Sequence, residues 1–330
     1  MDTLPVLDVS QWLQPDPASQ QDFIAKLLAT CHDPGFFYLT GHGIPAELDA
    51  AILSVTRTFF QLPDATKKSL AIGNSPHFRG YTILGDERTA GQNDWREQLD
   101  FGPEEPAHKP DPRDPAWQRL RGPNQWPPVD GFKKAVEAWL QQIEHLGLAL
   151  MRALALGLGQ PADYFDDRMT PCPYTRLKLI RYPGQPQVTD RSQGLGLHHD
   201  SGLFTMILQD GTSGLEIERD GQMIPVHPHA GSYVVNLGEM FQAMSNGYLR
   251  ATRHRVVSPP EGQERLSVAC FLNPRLDAVF EPVTLPPDLA MDSHGWQNPD
   301  AGDPIHTTFG ENTLKIRMRA HPDVTNRFYR

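Results

Sequence analysis

Three residues in the second half of the chain could hold one metal ion. The stretch Gly194–Asp210, GLGLHHDSGLFTMILQD, carries His198 and Asp200 two positions apart. In a strand, residues i and i+2 project to the same face, so both side chains can meet one ion while His199 points the other way. His254, in ATRHRVV, is the third candidate. Two imidazoles and one carboxylate on one side of an iron leave its remaining positions open, the arrangement that non-haem Fe(II) oxygenases use. Zinc hydrolases can use a similar donor set, so these residues alone do not name the metal.

A second pair follows the third candidate. Arg265 and Ser267, in RLSVACF, also share a strand face, and Ala269 and Phe271 continue it, which suggests an inward face. Arginine offers a rigid fork for a carboxylate, and serine adds a hydroxyl donor. Tyr182, in LIRYP, is read equally as core packing or as a donor near that anion. Other notable side chains have plainer readings. His199 is assigned to packing or to support of the ligands. His227 and His229 sit on a Pro-broken connection and are read as solvated. His42 belongs to a turn. Asn236, in VVNLGE, is read as a turn or pocket-lining residue or a neighbour of the metal. Phe271 is read as a core aromatic and Cys270 as a buried, inert thiol.

These residues need rigid strands to hold them. Short runs rich in Val, Ile, Leu, Phe and Tyr alternate with Gly, Pro, Asn and Asp turns from Tyr174 onward. Strands are expected at Leu177–Tyr182, Gly202–Gln209, Gly214–Arg219, Met223–Val226, Ser232–Leu237, Arg253–Val257 and Arg265–Leu272. Such spacing argues for a sandwich or barrel. Before it, Leu4–Val9 reads as a short strand, Ser19–Cys31 as a helix, and Gly35–Pro45 as a strand ending in a turn. Ala46–Phe60 and Phe132–Gly157 carry helical periodicity. Gly73–Asn124 reads as polar and loop-like, and Leu276–Arg330 as Pro-rich and mixed. Helices before and strands after give an α+β class with one β core.

The chain has 330 residues and a net charge of −10, a balance that disfavours a nucleic-acid partner. Its mean hydropathy of −0.46 disfavours a membrane protein. Leu146–Gly159, the most apolar long stretch, is interrupted by Arg152 and is shorter than the ~20 residues a bilayer needs. No secretory signal is visible at the N-terminus. Cys31, Cys172 and Cys270 are odd in number and far apart, which fits a reducing cytoplasm better than a disulfide framework.

The motifs, taken in order, resemble the isopenicillin N synthase-like branch of the Fe(II)- and 2-oxoglutarate-dependent dioxygenases. LPVLDVS (Leu4–Ser10) and GFFYLTGHGIP (Gly35–Pro45) match its N-terminal blocks. His198–Gln209 matches its His-x-Asp block. Pro225–Val257 matches the block that ends in the distal histidine, and RLSVACFLNP (Arg265–Pro274) matches its Arg-x-Ser block. The resemblance implies a double-stranded β-helix, or jelly roll, flanked by helices. It implies a single oxygenase unit over 1–330: a mainly helical part (1–170), a jelly-roll core with the iron site (171–285) and a tail (286–330). It carries His198, Asp200 and His254 over as iron ligands. It carries over Arg265 and Ser267, with Tyr182 as a weaker match, as contacts to the far carboxylate of 2-oxoglutarate. Phe78–Gly102 and the tail correspond to the variable parts that shape the substrate pocket.

The implied activity is oxidation of a small molecule by O2, with release of succinate and CO2 and with ascorbate as reductant. Within the family, some relatives use no 2-oxoglutarate and hold a substrate carboxylate with the Arg-x-Ser pair, and bacterial ethylene- and succinate-forming enzymes share the fold. A zinc hydrolase would need a general base near the metal, and no His-Glu-x-x-His motif is present. A non-catalytic jelly roll has no reason to keep both triad and anion clamp.

Overall fold

The computed structural model describes residues 3–89, 91–109, 111–186, 193–296 and 305–330. Its strands are β1 (Val6–Asp8), β2 (Phe36–Thr40), β3 (Gly80–Thr82), β4 (Arg88–Thr89), β5 (Gln92–Asn93), β6 (Glu97–Phe101), β7 (Arg176–Pro183), β8 (Gln193–His198), β9 (Phe204–Gln209), β10 (Leu215–Arg219), β11 (Gln222–Pro225), β12 (Tyr233–Leu237), β13 (His254–Val257) and β14 (Glu264–Leu272). The large sheet runs β1-β2-β12-β9-β14-β7-β6-β3, and a smaller one runs β11-β10-β13-β8. β4 and β5 form a separate hairpin.

Strand periodicity separates two cores. On β14, Leu266, Val268, Cys270 and Leu272 pack into the larger core, which the helices cover. The helix Phe132–Gly157 turns Val136, Trp139, Ile143 and Leu150 into it. It lies close to the sheet because position 147 is glycine; a Cβ there would stand 2.6 Å from Leu272 Cδ2. The opposite face of the large sheet meets the small sheet. Phe36, Ile180, Tyr182, Ile207 and Val234 pack there against Leu195, Leu215, Ile217 and Val256. The functional candidates all lie on this inner side.

Two expectations need correction. Gly73–Asn124 is not simply a loop, because β3 and β6 extend the large sheet and β6 (EQLDF) is buried throughout. Its charges hide the strand pattern, yet each has a partner. Glu97 accepts from Lys67 at 3.0 Å and Arg181 at 2.8 Å, and Asp100 lies 3.2 Å from Arg317. Buried charges persist when they are paired in this way. The tail, too, contains regular structure: helices at Pro287–Met291, Phe309–Ala320 and Pro322–Phe328. Thr308 and Glu311 form a capping box at the start of the second, a signal present in the sequence. Strand ends also differ by a residue or two. β8 stops at His198, so Asp200 lies just beyond it, while β9 begins at Phe204 and β13 at His254.

Candidate metal centre and anion clamp

His254 and His198 are register partners at the ends of β13 and β8. Together with Asp200 they present ligand atoms that all lie within 4.8 Å of one another. His198 Nε2 is 3.7 Å from Asp200 Oδ1, and His254 Nε2 is 3.9 Å from Asp200 Oδ2. Both rings are oriented from behind. His198 Nδ1 donates to the Gly196 carbonyl at 2.8 Å, and His254 Nδ1 donates to the Thr252 carbonyl at 3.2 Å. A carbonyl only accepts, so each Nδ1 carries a proton, which leaves Nε2 as the ring nitrogen available to an ion. His199 instead turns its Nδ1 to the Ala251 carbonyl at 3.0 Å.

Asp200 is fixed by two residues of the large sheet. Thr205 Oγ1 and Asn236 Nδ2 donate to its Oδ2 at 2.5 and 2.8 Å, and the two are cross-strand partners on β9 and β12. Burial pushes the carboxyl upward, but His254, His198 and the Asn236 amide together hold it well below the usual carboxylate range. Burial, helped by the neighbouring His198, lowers the His254 imidazole to about 4. Two imidazoles facing a carboxylate make a donor set suited to a divalent first-row metal.

The clamp lies along the same wall. Arg265 on β14 is opposite Tyr182 on β7, and Ser267 is opposite Ile180. Arg265 is 1% exposed, and its guanidinium covers the Tyr182 ring at 5.1 Å. Its Nη2 donates to Gln209 Oε1 at 3.1 Å, but Nε and Nη1 have no partner among the described residues. Burial pulls its pKa down from the ordinary arginine value. A buried cation with donors left open is costly, and a carboxylate entering the cavity would satisfy them.

The triad and the clamp open into one cavity of about 680 Å³, ample for a small cosubstrate and a second molecule. Ile207, Leu215 and Phe271 supply apolar lining. The far wall is charged and was not identified from sequence. Glu87 lies 2.6 Å from Arg96, 3.5 Å from His321 and 3.7 Å from Lys178, while Asp100 sits between Lys178 and Arg317. Burial lowers His321 to about 3. Residues of the tail, Phe309, Asn312 and Lys315 among them, complete the rim. The alternation in RLKLIRY, which turns Arg176 and Lys178 to the same face as Tyr182, was the available signal.

The remaining candidates fall outside the triad and clamp. His227 and His229 are exposed, and the His42 ring bridges Ile44 N and the Gly231 carbonyl as a turn brace. Asn236 touches Asp200 and Phe271 lines the cavity, so both are more than packing. Cys270 is buried, and its thiol is raised by that burial.

Two family models match the chain. Residues 4–129 match the N-terminal region of the non-haem dioxygenases of morphine synthesis, and residues 173–274 match the 2OG-Fe(II) oxygenase superfamily. A 2-oxoglutarate-dependent dioxygenase of a Dothideomycetidae fungus is 33% identical over 98% of this chain and 91% of its own. The chain belongs to the 2OG-Fe(II) oxygenase superfamily. It is an Fe(II)- and 2-oxoglutarate-dependent dioxygenase, an oxidoreductase, and membership sets aside the hydrolase alternative. An Arabidopsis thaliana homoarginine-6-hydroxylase is 32% identical over 86% of this dioxygenase and 80% of its own length. A full-length Neurospora crassa protein, solved in complex with alpha-KG and 5-formyluracil, superposes with a TM-score of 0.78 at 25% identity, covering 96% of each chain. No helix among the described residues of the dioxygenase is long and apolar enough to cross a membrane.

Proposed function

We propose that this dioxygenase holds Fe(II) with His198, Asp200 and His254, and grips the far carboxylate of 2-oxoglutarate with Arg265, Ser267 and Tyr182. The observation that carries the reading is the buried Arg265 fork, with two donors unsatisfied, facing the cavity that contains the triad. Bound there, iron and 2-oxoglutarate supply O2 activation coupled to oxidative decarboxylation, releasing succinate and CO2 as a substrate C–H bond is oxidised. The protein's own task is placement. Thr205 and Asn236 fix one oxygen of Asp200, the Gly196 and Thr252 carbonyls aim the imidazoles, and the apolar side of the cavity limits water.

The two sheets are read as the halves of a double-stranded β-helix, within one oxygenase unit formed by the whole chain. Ascorbate is the proposed reductant that keeps the iron ferrous. The prime substrate is a small molecule that binds beside the metal. A cytoplasmic setting is consistent with Cys31, Cys172 and Cys270 all being free.

The test is turnover without a prime substrate. With Fe(II), ascorbate and O2, the protein should convert 2-oxoglutarate slowly to succinate, and Arg265→Gln should not at the same cosubstrate concentration. Succinate with ethylene would point to the ethylene-forming relatives. If no succinate forms, the cosubstrate assignment of the clamp is wrong.

A further inference from the structure

A second arginine faces the cavity and has no part in the assignment above. Arg176 begins the inner face of β7 that continues through Lys178 and Ile180 to Tyr182, and it lines the cavity with them. Its register partner on β14 is Phe271, whose ring its guanidinium covers at 5.0 Å. Phe271 is opposite Thr205 on β9, the residue that donates to Asp200. Arg176 therefore stands level with the triad. The Arg265–Tyr182 pair starts six residues away, from the other end of the same two strands.

Arg176 has no hydrogen-bond or ion-pair partner among the described residues. The acids along this wall are already engaged, Glu87 with Arg96 and Lys178, and Asp100 with Arg317 and Lys178. Asp200 is near enough to be felt, but its carboxylate belongs to the metal in the reading above. Burial and the Arg317 charge pull the Arg176 guanidinium down to about 10. A planar cation held against an aromatic ring beside a metal site, with its donors free, is built to take a carboxylate through two parallel hydrogen bonds. Ile207, Met240 and Phe309 offer apolar surface for the rest of such a molecule.

We propose that Arg176 binds the carboxylate of the prime substrate, and that this dioxygenase acts on a small organic acid with an apolar body. The inference rests on the oxygenase site proposed above. It assigns the cavity two anion sites, Arg265 for the cosubstrate and Arg176 for the acid to be oxidised.

The test uses full-length protein loaded anaerobically with Fe(II) and 2-oxoglutarate. It is titrated with matched probes: 3-phenylpropionate and its carboxamide, and octanoate and its carboxamide. Perturbation of the iron–2-oxoglutarate charge-transfer band and the shift in Tm report binding. At least one acid should bind, roughly tenfold or more tightly than its amide. Arg176→Gln should weaken that acid at least ~30-fold, as expected for truncating one side of a desolvated charge pair, and abolish the preference over the amide. Arg176→Lys should keep part of it. Both variants should form the band at the wild-type 2-oxoglutarate concentration, which also shows that they are folded. The inference is overturned if no acid binds, if amides bind as well as acids, or if Arg176→Gln keeps the preference. It is equally overturned if Arg176→Gln loses 2-oxoglutarate, which would make Arg176 part of the cosubstrate site. A wild-type protein that forms no band overturns the underlying site, an outcome distinct from a band that ignores acids.

Discussion

Replacing Arg265 by Met separates two effects that usually travel together. In the protein without cosubstrate, Arg265 is a cation 1% exposed with two nitrogens unpartnered and one bond to Gln209. Such a group costs stability: even a complete buried ion pair can often be replaced by apolar residues at no cost or with a gain of ~1–4 kcal/mol, and Arg265 has no acid paired with it. Arg265→Met keeps much of the volume and leaves only the Gln209 amide to find a new partner. Its Tm without ligand should therefore equal or exceed that of the wild type. Cosubstrate affinity should move the other way. Truncating one partner of a buried charged pair costs ~2–5 kcal/mol, which is roughly 30-fold to several-thousand-fold in Kd. Iron affinity should hold, because Arg265 is no ligand. Thermal denaturation without ligand and an anaerobic 2-oxoglutarate titration on the Fe(II) protein measure the two quantities. A variant that loses stability and keeps its 2-oxoglutarate affinity would refute the argument, since Arg265 would then be a structural cation.

Three further outcomes are expected. His198→Ala should lose iron while His199→Ala keeps it, because His199 is turned to the Ala251 carbonyl; equal loss in an iron-binding assay would show that His199 shares the ion. Asn236→Ala should weaken iron ~10- to 100-fold by freeing Asp200 Oδ2, the effect expected for an outer partner of a ligand, and unchanged affinity would make Asn236 mere packing. The metal-free protein should lose stability as pH falls from about 6.5 towards 4. His254 is held near 4 when folded against an ordinary value of 6.5, so in that window the unfolded chain takes up the proton that the folded site refuses. Denaturant melts of His254→Asn should show a shallower slope there, and an identical slope would contradict the burial argument.

The clamp could be read from sequence because strand geometry ties residue spacing to facing: Arg265 and Ser267 sit two apart in a strand that its apolar run identifies. His198 and Asp200 share that spacing, but β8 ends at His198, so the strand argument does not account for how Asp200 meets the imidazoles. Composition could not reveal β6, since EQLDF places Glu97 and Asp100 in a buried strand whose partners, Lys67, Arg181 and Arg317, come from distant segments. Pairing that offsets the cost of burial is a long-range property, absent from any local window. The tail hid its role for a related reason. The capping box at Thr308 announces the helix Phe309–Ala320, but only the fold brings that helix to the cavity rim. Asn236 and Thr205 reach Asp200 only through the pairing of β12 with β9, which their own sequence positions do not disclose.

The measurement closest to the central claim is an anaerobic absorption titration of Fe(II) and 2-oxoglutarate into the protein. A metal-to-ligand charge-transfer band that needs both components, and that disappears in His254→Ala, is the predicted result. A band that persists in His254→Ala, or none in the wild type with both present, would contradict the claim that this triad seats the iron.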